Sequence, residues 1–116
     1  MMIRNKFLKS IIFASSFVSF SALAANVATG EIPVTEVQVW STGHLLIESA
    51  GAFDSSNSQC ASEDQGFVLS THVAYKQYLA MAMVASANGQ SLNIIYDDAE
   101  CLANRPVITR IDLISS

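Results

Sequence analysis

The sequence predicts a small α+β domain in which a curled antiparallel sheet lies beside one long helix, in the order β-β-β-α-β-β, closed by one disulfide. Three observations predict it. Short segments rich in β-branched residues alternate with turn residues, which suits strands. A single stretch, residues 70–88, is free of proline and glycine and rich in Ala, Met and Leu, which suits one helix. Two cysteines, Cys60 and Cys101, stand far apart in a chain short enough to need a staple. With 116 residues, 51% hydrophobic and 14% charged, the chain has the mass of one domain and too apolar a composition for a disordered one.

The first 24 residues read as an export signal. Residues 1–9 carry Arg4, Lys6 and Lys9 and no acid, residues 11–24 (IIFASSFVSFSALA) are apolar or small, and the run closes on Ala22-Leu23-Ala24. A basic start, a short apolar core and a small-x-small end define a cleavable leader. The core holds four serines and is about a third short of the roughly 20 residues a membrane span needs. The expected boundaries are a signal peptide over 1–24 and a single domain over 25–116. Removal of the leader leaves 92 residues, in which Lys76, Arg105 and Arg110 face ten acids for a net charge of −7. Such a surface repels phosphate and anionic lipid heads, so nucleic acid is not an expected partner, and no membrane span is expected once the leader is cleaved.

Residues 25–31 read as a polar lead-in. Residues 32–40 (IPVTEVQVW) read as the first strand, although Ile32 and Val34 fall on the opposite parity from Val37 and Val39. A bulge near Thr35-Glu36, or a strand starting only at Thr35, explains the change of phase. Ser41-Thr42-Gly43 supplies a turn, and residues 44–48 return as a second strand with Leu45 and Ile47 inward, making a hairpin. Residues 49–57 read as a loop, and a third strand is expected around 59–61, interrupted before Phe67.

From Ser70 to Asn88 the helix is capped by Ser70 or Thr71. Tyr75, Tyr78, Leu79, Ala82 and Met83 form one stripe toward the core, and Gly89 stops the helix in the left-handed region. Between Leu79 and Ala87 the only polar side chain is Ser86, so both sides of this helix call for cover; the second cover is expected from another subunit, giving a homo-oligomer through residues 70–88. Residues 92–96 form the next strand, 97–106 a polar loop carrying Cys101, and 107–114 the last strand.

In an oxidising compartment an even pair of cysteines in a small domain reads as a disulfide. Metal and redox motifs place cysteines two residues apart, and these are 41 apart. Closing the 42-residue segment stabilises the fold by about 4 kcal/mol in the chain-entropy account. No catalytic signature stands out. His44 and His72 lack the HxH or HxxxH spacing of a metal site, Asp97, Asp98 and Glu100 lack the calcium-loop rhythm, and no GxSxG elbow occurs. Glu36 and Glu48 face one another across the hairpin but without an evident cleft. The chain is thus expected to be no enzyme and to use no cofactor or metal. Trp40 is the residue with binding potential: with Ser41, Thr42 and His44 beside it at the hairpin end, it offers an aromatic platform for a sugar ring or a partner chain.

Trp40-Ser41-Thr42-Gly43, Ile47-Glu48, Cys60, Tyr75-x-Gln77-x-Leu79, Gly89-Gln90 and Ile94-x-Tyr96 together resemble the binding (B) subunits of AB5 bacterial toxins of the subtilase-cytotoxin and pertussis-like kind. The resemblance covers most of residues 25–116. It implies an oligonucleotide/oligosaccharide-binding-like (OB-like) barrel, a ring of subunits with central helices, and glycan binding without catalysis. Pro33-Val34 occupies the stretch where those subunits carry a glycan-contacting serine, so no sugar-binding residue is carried across. The function expected is therefore an exported, secreted or periplasmic, non-enzymatic binding module for a glycan, or alternatively an interaction or inhibitor protein that meets another protein.

Overall fold

The computed structural model describes residues 26–54 and 59–114; the expected leader over 1–24 lies outside the described residues. Six strands and one helix follow in the order β1 (Asn26–Pro33), β2 (Glu36–Val39), β3 (Leu45–Glu48), β4 (Gln65–Val68), α1 (Tyr75–Asn88), β5 (Ser91–Leu102) and β6 (Arg105–Leu113). The class is α+β, with one sheet in the spatial order β1-β5-β6-β4-β3-β2. The sheet is mixed rather than antiparallel, because β4 runs parallel to β6 through Phe67 and Val107 while every other neighbour is antiparallel. The helix between them supplies the crossover that a parallel pair requires.

The two strands at the ends of the sheet are neighbours in the chain. Only Val34 and Thr35 separate β1 from β2, a reach of about 11 Å at most. A flat sheet of six strands would hold its outer strands about 24 Å apart. The sheet therefore curls until its ends meet. This also accounts for the phase change inside residues 32–40: Ile32 pairs with Leu92 on β5, whereas Val37 pairs with Ile47 on β3, so one run of sequence serves two strands with different partners.

Several expected elements are corrected. Residues 26–31 are not a lead-in but most of β1, paired to β5 across a bulge at Thr29-Gly30, where Gly30 takes φ 76°. Residues 59–61 form no strand; the strand lies at Gln65–Val68. Gly66 belongs there because the Phe53 ring occupies the space beside it, and a Cβ would stand 2.7 Å from the ring. Residues 97–106 are no loop: β5 and β6 continue through them, with a three-residue bulge between Asp97 and Cys101 and a tight turn at Ala103-Asn104. That turn has φ of 50° and 66°, the paired left-handed geometry of a two-residue hairpin. No glycine announces it. Among the described residues the strand count accordingly rises from five to six, giving β-β-β-β-α-β-β.

The helix starts at Tyr75 rather than Ser70. Neither Ser70 nor Thr71 caps it; Ala74 is the N-cap residue and makes no side-chain cap bond. Instead His72 turns back, its Nδ1 accepting the Ala74 N–H at 3.0 Å while Nε2 lies 3.0 Å from the Thr109 carbonyl. A carbonyl only accepts, so Nε2 carries the proton and the ring is the neutral Nε2–H tautomer. Gly89 ends the helix at φ 68°, its N–H donating to the Ala85 carbonyl, as glycine at that position predicts. Tyr75, Tyr78, Leu79 and Ala82 pack on the sheet as the stripe predicts, joined by Ala85. Met83 does not: it is 56% exposed. The main core lies between the helix and the concave face of the sheet, around Leu45, Ile47, Leu92, Ile94, Tyr96 and Ile108. Cys60 and Cys101 form the predicted disulfide, with Cα atoms 5.5 Å apart. Among the described residues no helix is long and apolar enough to cross a membrane.

Candidate functional site

Strand alternation sends Leu46 and its pairing partner Phe67 to the face of the sheet away from the helix. Both are fully buried there, so something must cover them. The cover is the Trp40 end of the β2–β3 hairpin together with the β5–β6 turn. Trp40 N–H donates to the His44 carbonyl at 3.0 Å and Gly43 N–H donates to the Trp40 carbonyl at 2.8 Å. Gly43 sits at φ 93°, a conformation that would strain any other residue. The tight turn sets the Trp40 and His44 side chains next to one another over Phe67, whose ring centroid lies 4.8 Å from Trp40 in an edge-to-face contact and 6.2 Å from His44.

A pocket of about 150 Å³ opens between them, lined by Trp40, Thr42, His44, Phe67, Leu102 and Ala103. Three of the four residues that the sequence singles out, Trp40, Thr42 and His44, are brought together here. Ser41 is exposed at the tip and does not line the pocket. Phe67, Leu102, Ala103 and the neighbouring Arg105 escape sequence reading. Leu102 and Ala103 sat in a segment read as a polar loop, and the one available signal was Arg105, a rare cation in an acidic chain.

The walls are braced from behind. The Arg105 guanidinium lies 5.2 Å from the centroid of Trp40 and 5.8 Å from that of Phe67, close enough for cation–π attraction. Its Nε donates to Gln65 Oε1 at 2.5 Å and its Nη1 to the Ala103 carbonyl at 2.7 Å, tying the turn to the sheet. The Trp40 indole N–H donates to Gln38 Oε1 at 3.0 Å, so the ring's one polar group is satisfied within the protein. His44 is held as well: its Nδ1 accepts the Ser70 N–H at 2.9 Å, leaving Nε2 as the ring nitrogen available to a ligand.

Glu36 and Glu48 are direct cross-strand partners, as expected of the hairpin. Each accepts from a glutamine, Glu36 from Gln38 at 2.6 Å and Glu48 from Gln65 at 2.9 Å, so they anchor the two glutamines that hold Trp40 and Arg105. Their place is structural support beneath the pocket. Asp97, Asp98 and Glu100 lie on β5 rather than in a loop; Asp97 Oδ1 accepts the Ala99 N–H at 2.9 Å, and Asp98 is buried. Among the described residues no group of His, Cys, Asp or Glu is arranged to hold a metal ion.

A second concavity, of about 340 Å³, lies between β2 and the helix, lined by Val37, Val39, Leu79, Met83, Ser86 and Ala87. Val39 is 56% exposed at its rim. Comparison with protein-family models finds none that matches the chain, and comparison with curated proteins finds no match either.

Proposed function

We propose that this chain is an exported, non-enzymatic binding module, that its curled sheet is an OB-like barrel, and that the Trp40 pocket is its recognition site. The OB-like reading is supported by the connectivity: ends of the sheet joined through Val34-Thr35, a parallel pair β4–β6, and the helix placed between β4 and β5. Export is supported by the leader-like residues 1–24 and by the closed disulfide, which suits an oxidising compartment.

The observation that carries the binding role is a ring-sized aromatic pocket whose walls are immobilised before any ligand arrives. Trp40 is fixed by Arg105, Phe67 and Gln38 together, and His44 by Ser70. Pre-organised walls lower the ordering cost of binding. The ligand class follows from the lining. Trp40, Leu102 and Ala103 present apolar surface over the buried Phe67 ring, and of the lining side chains the Thr42 hydroxyl and His44 Nε2 can bond a ligand. A sugar ring carries hydroxyls around most of its rim, and burying them unpaired costs about 1–3 kcal/mol each. One apolar or aromatic side chain of a partner protein suits this pocket better. A glycan edge stacked on Trp40, with one hydroxyl on His44 Nε2, is the second reading, and it accords with the resemblance to toxin binding subunits.

The test compares wild type with Trp40→Ala, the fold of each checked by its melting curve. Capture of a defined envelope protein that is lost in Trp40→Ala, with a blank glycan array, supports the protein reading. Array binding lost in the same variant supports the glycan reading. Capture and array binding both insensitive to Trp40 would overturn the site. The same proposal includes self-association through the helix, supported by the exposure of Met83 at 56% and Val84 at 40% beside the second concavity. Light scattering of the mature chain tests it.

A further inference from the structure

We infer that the Cys60–Cys101 disulfide is a redox strut of the Trp40 pocket, so that the pocket is assembled only in the oxidised protein; the inference rests on the reading of that pocket as the recognition site. Two of the six lining residues, Leu102 and Ala103, follow Cys101 directly in the chain. They belong to a turn that is costly on its own terms. Ala103 and Asn104 both take left-handed backbone, at φ 50° and 66°, a region that an alanine rarely occupies. Such a conformation persists only where the surroundings over-determine it.

Three ties supply that here. The Ser62 N–H donates to the Asn104 carbonyl at 2.9 Å, Arg105 Nη1 donates to the Ala103 carbonyl, and the disulfide fastens the 59–62 segment to the end of β5. A further main-chain bond, Gln59 N–H to the Asp98 carbonyl at 3.0 Å, runs along the same seam. Behind the turn lies the three-residue bulge of β5, where regular pairing with β6 is missing between Asp97 and Cys101. Beyond the bulge only Cys101 with Pro106 and Leu102 with Arg105 resume the ladder, and Pro106 has no N–H to give, so the covalent tie supplements a short, interrupted stretch of pairing. These ties fasten residues 98–105, so the bridge orders one end of the native molecule.

One end of the bridge lies on an exposed residue. Cys101 is exposed whereas Cys60 is buried. A dithiol attacks through one thiolate at Cys101 Sγ, breaking the S–S bond and releasing the Cys60 thiolate. Its second thiolate then displaces Cys101 and closes a cyclic disulfide. Two electrons pass from the dithiol to the bridge, and Cys60 and Cys101 end as thiols carrying one proton each. Before oxidation the 59–62 segment is free to leave the turn, Ala103 relaxes from its left-handed backbone, and the Leu102–Ala103 wall parts from Trp40. A protein of this design gains its binding site on reaching an oxidising compartment.

Trp40 is the sole tryptophan, so its fluorescence reports the pocket directly. The experiment treats the full chain with dithiothreitol and measures acrylamide quenching, with amide hydrogen exchange alongside. The expected result is a reduced protein that still melts cooperatively. Its quenching constant rises at least twofold, and protection falls at least tenfold further at Leu102 and Arg105 than along Leu79–Ala85. Unchanged quenching and exchange in the reduced, folded protein would overturn the inference. So would equal loss of protection in the helix, or outright unfolding, because the bridge would then be a global staple. No ligand enters these measurements, so their failure is separate from failure of the recognition-site reading, which Trp40→Ala tests by capture.

Discussion

The two concavities of this domain are built by opposite means. The groove between β2 and the helix is the larger, about 340 Å³ against about 150 Å³, and its walls are aliphatic side chains and a methionine, with Ser86 the one polar side chain in its lining. The Trp40 pocket is small, aromatic, and tied by hydrogen bonds that Trp40 donates to Gln38, Arg105 donates to Gln65 and Ser70 donates to His44. Flexible aliphatic surface adapts to many shapes and suits a flat apposition of subunits. Fixed aromatic walls select one shape and suit specific recognition. Size is therefore a poor guide to which concavity recognises a ligand; the number of constraints on each wall is the better one.

The largest expected effect comes from the covalent tie behind the pocket and falls on the stability of the whole domain. Cys60→Ser is expected to cost about 4 kcal/mol, which in a domain of this size lowers the melting temperature by about 15–30 °C. Calorimetry checks it, and a shift of one or two degrees would refute the entropic account. Next comes the layer beneath both concavities. In Gly66→Ala the new methyl meets Phe53 at 2.7 and 2.9 Å and Ile108 at 3.1 Å. Phe53 cannot retreat, since its ring packs edge-to-face on Tyr96 at 5.2 Å. Overpacking of this kind costs about 1–3 kcal/mol. Chemical denaturation should show the loss, and Phe53→Leu in the same chain should recover part of it.

At the start of the helix, His72→Ala removes the acceptor for Ala74 N–H and the donor to Thr109. A loss of about 1–2 kcal/mol is expected, with exchange protection falling first in the early turns of the helix and Trp40 quenching unchanged. Met83→Ser should alter stability by no more than about 0.5 kcal/mol, yet light scattering should register a shift toward monomer if the groove joins subunits. The last prediction lies on the pH axis. Burial first, and then the negative charges of Asp98 and Asp54, hold the Tyr96 phenol above its ordinary value of 10.0. The unfolded chain ionises this phenol sooner, so its contribution to stability is whole below about pH 10 and falls away as the pH climbs through the folded value. Tyr96→Phe should flatten that alkaline decline.

Local signals were sufficient where a residue type has one physical use. Gly43 and Gly89 marked left-handed positions that the backbone does adopt, and the alanine-rich run marked the only described helix. The Trp40–His44 hairpin end was legible because turn chemistry and strand parity coincide there. The signals failed where a partner distant in sequence overrides propensity. Residues 26–31 are polar and contain a glycine, yet they form a strand because β5 offers an edge to pair with. Ser70 and Thr71 are good caps, but His72 reaches the Ala74 N–H first. The Ala103-Asn104 turn lacks glycine, so nothing in its composition distinguishes it from loop.

The chain by itself determined its acidic balance, its pair of cysteines, the helix before Gly89 and the aromatic hairpin end, because each depends on residue identity and short-range geometry. Tertiary structure alone decided that residues 26–39 would serve two strands and bend the sheet round to meet itself. It alone decided that Phe67, Leu102, Ala103 and Arg105 would gather around Trp40. The reason is physical: pairing across a sheet and packing beneath a ring depend on which surfaces lie within a few ångströms, and sequence separation carries no record of that distance.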